Sequence, residues 1–390
     1  MSNYKNIESK LWQEWKFNNP VSILFGNKTR KCLIDELKSQ KLLVVSSKRG
    51  KKVFCQDEHL SKLVESSCIT WHEDVEENPT IESLSFSINN FKNFKFDGIL
   101  AFGGGSSIDA AKILNVCLHE SCLTSTLPQL LKYPSLHNDI KTLPLYALPT
   151  TSGTGSEVTP FATCWDNVLK KKYSLAGPSL WPYKAIVDPE LAFTLPLAPT
   201  ISTGLDAINQ AAESIWNKNA SSLSIEFATR ALVLGVNSLR ALIKDISSHQ
   251  ARVGMAESSL LAGLAISNTR TALCHSISYP ITAHFGVPHG LACAFTMLSV
   301  LKHNIQYDDG RFKQLAYRLT NTYSYENLIQ YISDVLGDAK VTSACRGYIP
   351  NLDVLTSLST EMLTPGRADN NIGSISQSDL KRILKESWSL

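Results

Sequence analysis

Apolar residues in the first half of the chain come in short runs that end on glycine or small polar residues. Leu42-Leu-Val-Val-Ser46, Gly98-Ile-Leu-Ala-Phe102, Leu143-Pro-Leu-Tyr-Ala-Leu148 and Ala185-Ile-Val-Asp188 are the clearest. Short continuous runs of this kind suit strands buried on both faces, and stretches of helical spacing separate them. The pattern predicts an α/β domain with a mostly parallel sheet. Beyond about Leu195 the texture changes. Ser202 to Trp216, Leu223 to Leu242 and Val253 to Ile266 place apolar residues at helical spacing, and Pro196 and Pro199 suit a connector. The expected organisation is an α/β domain over residues 1–190 and an all-α domain over residues 191–390.

Two glycine-containing loops follow predicted strands. Gly103, Gly104 and Gly105, then Ser106, Ser107, an isoleucine and Asp109, lie between a strand and a helix. Glycines there let backbone approach a phosphate, and a helix N-terminus offers free N–H donors. The spacing is not Gly-x-Gly-x-x-Gly, so a tight turn is the plain alternative. The second loop, from Pro149 through Thr150, Thr151, Thr154 and Ser156 to Glu157, carries hydroxyls and two more glycines. Together the loops predict a dinucleotide cradle.

In the second half, His275, His284 and His289 fall within fifteen residues of an otherwise apolar stretch. Imidazole binds a divalent metal at neutral pH without losing a strong charge, so the cluster is a candidate metal site. The alternative makes His284, and one other, hydrogen-bonded core histidines. Upstream, Asp206 opens Asp206-Ala-Ile-Asn-Gln210-Ala-Ala-Glu213, where an acid could equally cap a helix.

Composition narrows the partners. The chain has 390 residues, 43% apolar and 19% charged, with a net charge of +3. That charge is too small, and aromatics too scattered among it, to predict nucleic acid binding. No apolar run is long enough to cross a bilayer, and Asn3 to Lys10 is polar rather than a signal peptide. Nine cysteines without a Cys-x-x-Cys pair read as reduced thiols, which predicts a cytoplasmic protein.

Four motifs in order resemble the iron-containing (group III) alcohol dehydrogenase family: Gly-Gly-Gly-Ser-Ser-Ile-Asp-Ala-Ala-Lys112, Pro-Thr-Thr-Ser-Gly-Thr-Gly-Ser-Glu157, Gly-Leu-Asp206-Ala, and His275 and His289 in a His-x13-His spacing ending in Pro-His-Gly. The resemblance runs from Asn18 to the C-terminal helices. It implies a dehydroquinate synthase-like architecture and metal-assisted hydride transfer with NADP or NAD, the metal being Fe2+ or Zn2+. It also implies that Asp206, His275 and His289 are metal ligands. Two positions depart from the family. Gln210 stands where a histidine ligand is usual, one helical turn from Asp206, and can offer only its amide oxygen or leave the place to water. Tyr279 replaces a histidine often assigned to a proton relay.

The resemblance also places the cofactor's ribose. Ser47 replaces an acid that binds the adenosine ribose in many members, and with Lys48 and Arg49 beside it a 2′-phosphate is tolerated. Lys172 matches a lysine that contacts the cofactor ribose. Trp216 to Ala220, Arg270 to Pro280 and Thr364 to Ile372 resemble the phosphonoacetaldehyde reductase branch of the family. A guanidinium at Arg270, five residues before His275, suits a phosphonate, with Lys218 and Arg367 as secondary candidates. Pairing of Arg270 with a helix acid is the plain alternative. The expected substrate is a small anionic aldehyde, with a homodimer allowed. Other readings are a reductase of sulfoacetaldehyde or an uncharged short aldehyde, a dehydroquinate synthase-like lyase, and a nucleotide-binding protein without catalysis.

Overall fold

The computed structural model describes residues 14–390, so the Asn3 to Lys10 stretch lies outside the described residues. The chain forms two compact units, residues 19–194 and residues 195–390, the latter taking in the segment through Asn18. Phe17 lies edge-on to Phe227, and the Asn18 N–H donates to the Asn268 side chain.

In the first unit, β1 (Ser22–Phe25), β2 (Lys41–Val45), β3 (Cys68–His72), β4 (Gly98–Gly103), β5 (Leu145–Pro149) and β8 (Lys184–Val187) form one sheet in the order β1-β8-β5-β4-β2-β3. Every pairing in it is parallel. Between β5 and β8 the strands β6 (Phe161–Asp166) and β7 (Lys171–Ala176) make an antiparallel hairpin. Leu42 to Val45 and Ile99 to Phe102 are fully buried, as continuous apolar runs in a parallel sheet must be. Helices α1 (Cys32–Leu37), α2 (Lys48–Gln56), α3 (Leu60–Ser66), α4 (Ile81–Phe91), α5 (Gly105–Cys117) and α6 (Leu127–Lys132) complete the unit. Strand order reverses between β2 and β4, and ligands of such sheets bind at the carboxyl ends beside that point. Strands β1 and β3 leave no continuous apolar run, because both lie at sheet edges and are half-exposed along most of their length.

The second unit is helical. Helix α7 (Leu197–Ile215) packs against α8 (Ser222–Lys244) and α9 (His249–Thr269), and every residue of α7 from Gly204 to Ile215 is buried. Helices α10 (Leu273–Phe285) and α11 (His289–Phe295) follow, and further helices continue to Ser389. Among the described residues no helix is long and apolar enough to cross a membrane, and all nine cysteines are free.

Candidate functional site

Register brings the two glycine loops together, because Gly103 at the end of β4 pairs with Pro149 at the end of β5. Gly104 caps α5 in extended backbone, with no side chain bonded to the helix's first N–H groups. The second loop lies against it: a Cβ on Gly104 would stand 3.1 Å from the Thr151 hydroxyl, and one on Gly105 would stand 2.5 Å from a Thr154 methyl. Only glycine at 105 admits that approach. The first turn of α5 and the Thr151 to Thr154 stretch thus lie side by side, and a helix N-terminus is where backbone N–H groups can meet a phosphate.

Asp109 and Ser156, singled out as cofactor contacts, are engaged within the protein. Asp109 accepts from the Ser156 hydroxyl and from both the N–H and the hydroxyl of Thr163. Buried Lys112, one turn further along α5, donates to Ser156, to Thr159 and to the Phe161 carbonyl. These contacts fix the second loop on α5. Burial lowers the Lys112 pKa to about 8 and pushes the neighbouring Glu157 carboxyl up to about 7. A carboxyl raised in the folded state keeps its full stability below its ordinary pKa near 4.5 and loses it as pH rises through about 7. Glu157→Gln has no such loss. Its stability relative to the parent should therefore grow by on the order of 3 kcal/mol between about pH 4 and pH 8, read from urea midpoints. A pH-independent difference would show that Glu157 ionises normally.

Ser47 caps α2, accepting from the Gly50 N–H. Two cations nearby are paired, Lys48 with Asp74 at 3.0 Å and Lys51 with Glu73 at 2.6 Å. The carboxylates absent from the end of β2 thus arrive from the end of β3. Lys172, on β7, holds its ammonium over the Trp165 ring across the hairpin.

In the helical unit Asp206, His275 and His289 converge, joined by Cys293, with one ligand atom of each lying within 4.8 Å of the others. His275 Nε2 is 3.3 Å from Asp206 Oδ1, the edge length of about 3.3 Å that two ligands at ~2.0 Å make in a tetrahedral set. Two features bring the groups together. Gly290 lets α11 seat on α7, since a Cβ there would fall 1.8 Å from the Ser202 carbonyl oxygen and 3.0 Å from the Asp206 nitrogen. Glu213, fully buried two turns after Asp206, accepts from the backbone N–H groups of Ala272, Cys274 and His275 at the start of α10 and from His275 Nδ1 at 2.7 Å. That last bond places the imidazole proton on Nδ1 and leaves Nε2 as a lone pair facing Asp206. Burial opposes protonation of His275, but Cys293, Glu213 and Asp206 around it outweigh burial and raise its pKa. The centre attracts positive charge.

The donor set fits a divalent metal. The buried Gln210 Oε1, one turn from Asp206, has no hydrogen-bond partner among the described residues. An unpaired amide oxygen in such a place is a ready neutral donor. Cys293 Sγ stands 3.9 and 3.8 Å from the two ring nitrogens of His289. Equal distances mean that it lies off either lone-pair direction, so it lines the centre in this rotamer. Tyr279 stacks on the His289 ring. His284 is neither in the cluster nor in the core: it is exposed and meets Glu361 at 3.0 Å. Glu213 and Cys293 escaped sequence reasoning, although each had a signal. Glu213 is seven residues after Asp206 and Cys293 four after His289, both helical spacings that return to one face.

The three segments singled out around Arg270 also meet. The Asn217 amide donates to the Arg270 carbonyl at 3.2 Å, the Lys218 N–H to the Asn370 carbonyl at 2.8 Å, and the Asn370 amide to the Thr271 carbonyl at 2.9 Å. Ser276, next to His275, donates to the Met362 carbonyl and accepts from the Thr364 N–H.

A parallel sheet with anion-ready loops, on a chain whose helical unit gathers a carboxylate and two imidazoles, defines a cofactor- and metal-using oxidoreductase class. Comparison with known proteins makes the class specific. Residues 20–189 match the family described as "Iron-containing alcohol dehydrogenase", and residues 200–388 match "Fe-containing alcohol dehydrogenase family, C-terminal". The chain belongs to the iron-containing alcohol dehydrogenase family. It is 34% identical over 240 residues to the aldehyde-alcohol dehydrogenase of Streptococcus pneumoniae, a match taking in 59% of this chain but 27% of that protein. The chain thus spans under a third of that longer relative. It is 29% identical to the phosphonoacetaldehyde reductase of Streptomyces viridochromogenes over 80% of this chain and 82% of that one. Among solved structures, the sulfoacetaldehyde reductase of Bifidobacterium kashiwanohense in complex with NAD+ superposes with a TM-score of 0.83 at 25% identity, covering 97% of this chain and 99% of that one.

Proposed function

We propose that this protein reduces phosphonoacetaldehyde to 2-hydroxyethylphosphonate with NADPH or NADH. The observation that carries the reading is the joining of the three segments around Arg270, five residues before His275. Arg270 is the residue to grip the phosphonate, Asp206, His275 and His289 are the residues to hold the metal, and Gln210 supplies a further oxygen. The relative of the same activity, alike over most of both chains, supports the choice. When bound, the metal supplies Lewis acidity at an aldehyde oxygen and the nicotinamide supplies a hydride.

The chain's own residues do the rest. Glu213 orients His275 and fixes its tautomer. The N–H groups at the start of α5 and the hydroxyls of Thr150, Thr151 and Thr154 hold the cofactor's phosphates, with Gly103 to Ser107 as the cradle. Ser47 and Lys172 are the residues to contact the cofactor's ribose. Both NAD and NADP stay in the reading, because Asp74 beside Lys48 offsets part of the positive charge that a 2′-phosphate needs.

A panel of phosphonoacetaldehyde, sulfoacetaldehyde and propanal, each with NADPH and NADH, tests the proposal. Phosphonoacetaldehyde should have the highest kcat/KM, and a preference for propanal would reject it. A charge-assisted, bidentate contact is worth roughly 1.5–3 kcal/mol, more than tenfold in rate or affinity. Arg270→Ala should therefore lower the ratio of kcat/KM for phosphonoacetaldehyde to that for propanal at least tenfold. Equal losses on both substrates would make Arg270 a structural residue.

A further inference from the structure

We propose that Arg367 is a second guanidinium of the substrate site, set beside Arg270, and that the pair selects a doubly charged head group, the phosphonate dianion, over a sulfonate of the same shape. The inference rests on the phosphonoacetaldehyde reading and adds the residue that sets its charge specificity.

The positions come from the segment holding Arg367. Its turn is pinned to the Arg270 segment by the Asn370 amide, which donates to both the Thr271 and Gly366 carbonyls. From the other side, Asn217 pairs with Asn371 and its amide holds the Arg270 carbonyl. Arg270 and Arg367 therefore stand on two segments stitched together within a few residues of each. Partial burial first, and the positive charge of Arg367 after it, lower the hold of the Arg270 guanidinium on its proton.

Nothing local neutralises this positive charge at Arg367. Half-buried Arg311 is locked by both oxygens of Asp309 at 2.8 Å. Arg367 is also half-buried, yet among the described residues no carboxylate lies within ion-pair distance of it, and its guanidinium reaches only the Gly366 carbonyl, at 3.3 Å. Asp369, two residues on, points instead at the Gly366 N–H.

The backbone supports the same reading. Arg270 has φ +63° and ψ 176°, a conformation unfavourable for a residue with a side chain. Such strain persists where the surroundings over-determine it, and it concentrates at ligand sites. Here the Thr269 hydroxyl and the Asn217 amide both hold the Arg270 carbonyl. Two guanidiniums carried on segments bonded this closely are best met by two negative charges. A phosphonate carries its second charge above about pH 6–7, by analogy with phosphate monoesters, whereas a sulfonate never carries more than one.

The test measures kcat/KM for phosphonoacetaldehyde and sulfoacetaldehyde from pH 5.5 to 8.5, with inhibition by methylphosphonate and methanesulfonate as a reading independent of turnover. In the parent the phosphonate-to-sulfonate ratio should rise about tenfold across the second ionisation, the worth of one added charge-assisted contact. Arg367→Gln should flatten that rise and lower the ratio at pH 8 at least tenfold, and Arg367→Lys should recover part of it. Arg346→Gln, an arginine stacked on Trp388, should leave the ratio alone. A thermal midpoint equal to the parent's would confirm that Arg367→Gln folds. Equal losses on both anions, or a ratio independent of pH in the parent, would overturn the charge-selecting pair while leaving the phosphonate reading intact. A parent with no preference for either anion over propanal would overturn both.

Discussion

His275→Ala is expected to lose its bound metal and to lose roughly 10³-fold or more in aldehyde reduction, since polarisation of a carbonyl is worth several kcal/mol. The size follows from where the imidazole sits. Its Nε2 faces Asp206 at 3.3 Å and its Nδ1 is held by a carboxylate that also binds three backbone N–H groups, so the ring is fixed with its free nitrogen turned into the centre. A companion variant separates ligand from support. Glu213→Gln keeps His275 but weakens its orientation, and changes of this kind cost about 10- to 100-fold in metal affinity. The expected order is therefore parent, Glu213→Gln, His275→Ala, in metal content by elemental analysis as well as in rate. Full metal occupancy with the parent's rate in His275→Ala would sink the metal centre.

Gly104→Val should raise the cofactor dissociation constant roughly a hundredfold, about 3 kcal/mol, by removing the charge-assisted bonds of about two N–H donors. The residue is chosen because it separates binding from folding. At φ −77° and ψ −171° the Gly104 backbone suits any residue, and the nearest obstacle to a Cβ is the Thr151 side chain at 3.1 Å, which can turn aside. The branched side chain would then stand over the first turn of α5, where a phosphate needs the backbone bare. Gly105 is the poorer choice, because a Cβ there meets Thr154 at 2.5 Å and would disturb the loop itself. Fluorescence titration with NADH and NADPH reads the effect. An unchanged constant for both would place the pyrophosphate elsewhere.

Much of this was legible in the chain. Continuous apolar runs ending in glycine gave the central strands β2, β4, β5 and β8, because a strand buried on both faces cannot alternate. Helical spacing gave the cores of α7, α8 and α9, with ends that moved by up to five residues at Leu197. The histidine cluster marked a metal candidate, and the family resemblance added Asp206 to it and singled out Arg270.

What the chain alone could not give are relations between residues far apart in sequence. Sequence spacing fixes neighbours only within one helix or strand, where the backbone repeat is known. Glu213 meets His275 across 62 residues, Gly290 admits Ser202 and Asp206 from another helix, and Asp109 clamps a loop 47 residues on. The same limit made His284 look like a core residue, since its apolar neighbours in sequence say nothing of Glu361 beside it in space. The residues that carry chemistry were set by local pattern. Which of them share a centre, and which merely hold others in place, was decided by helix packing and strand register.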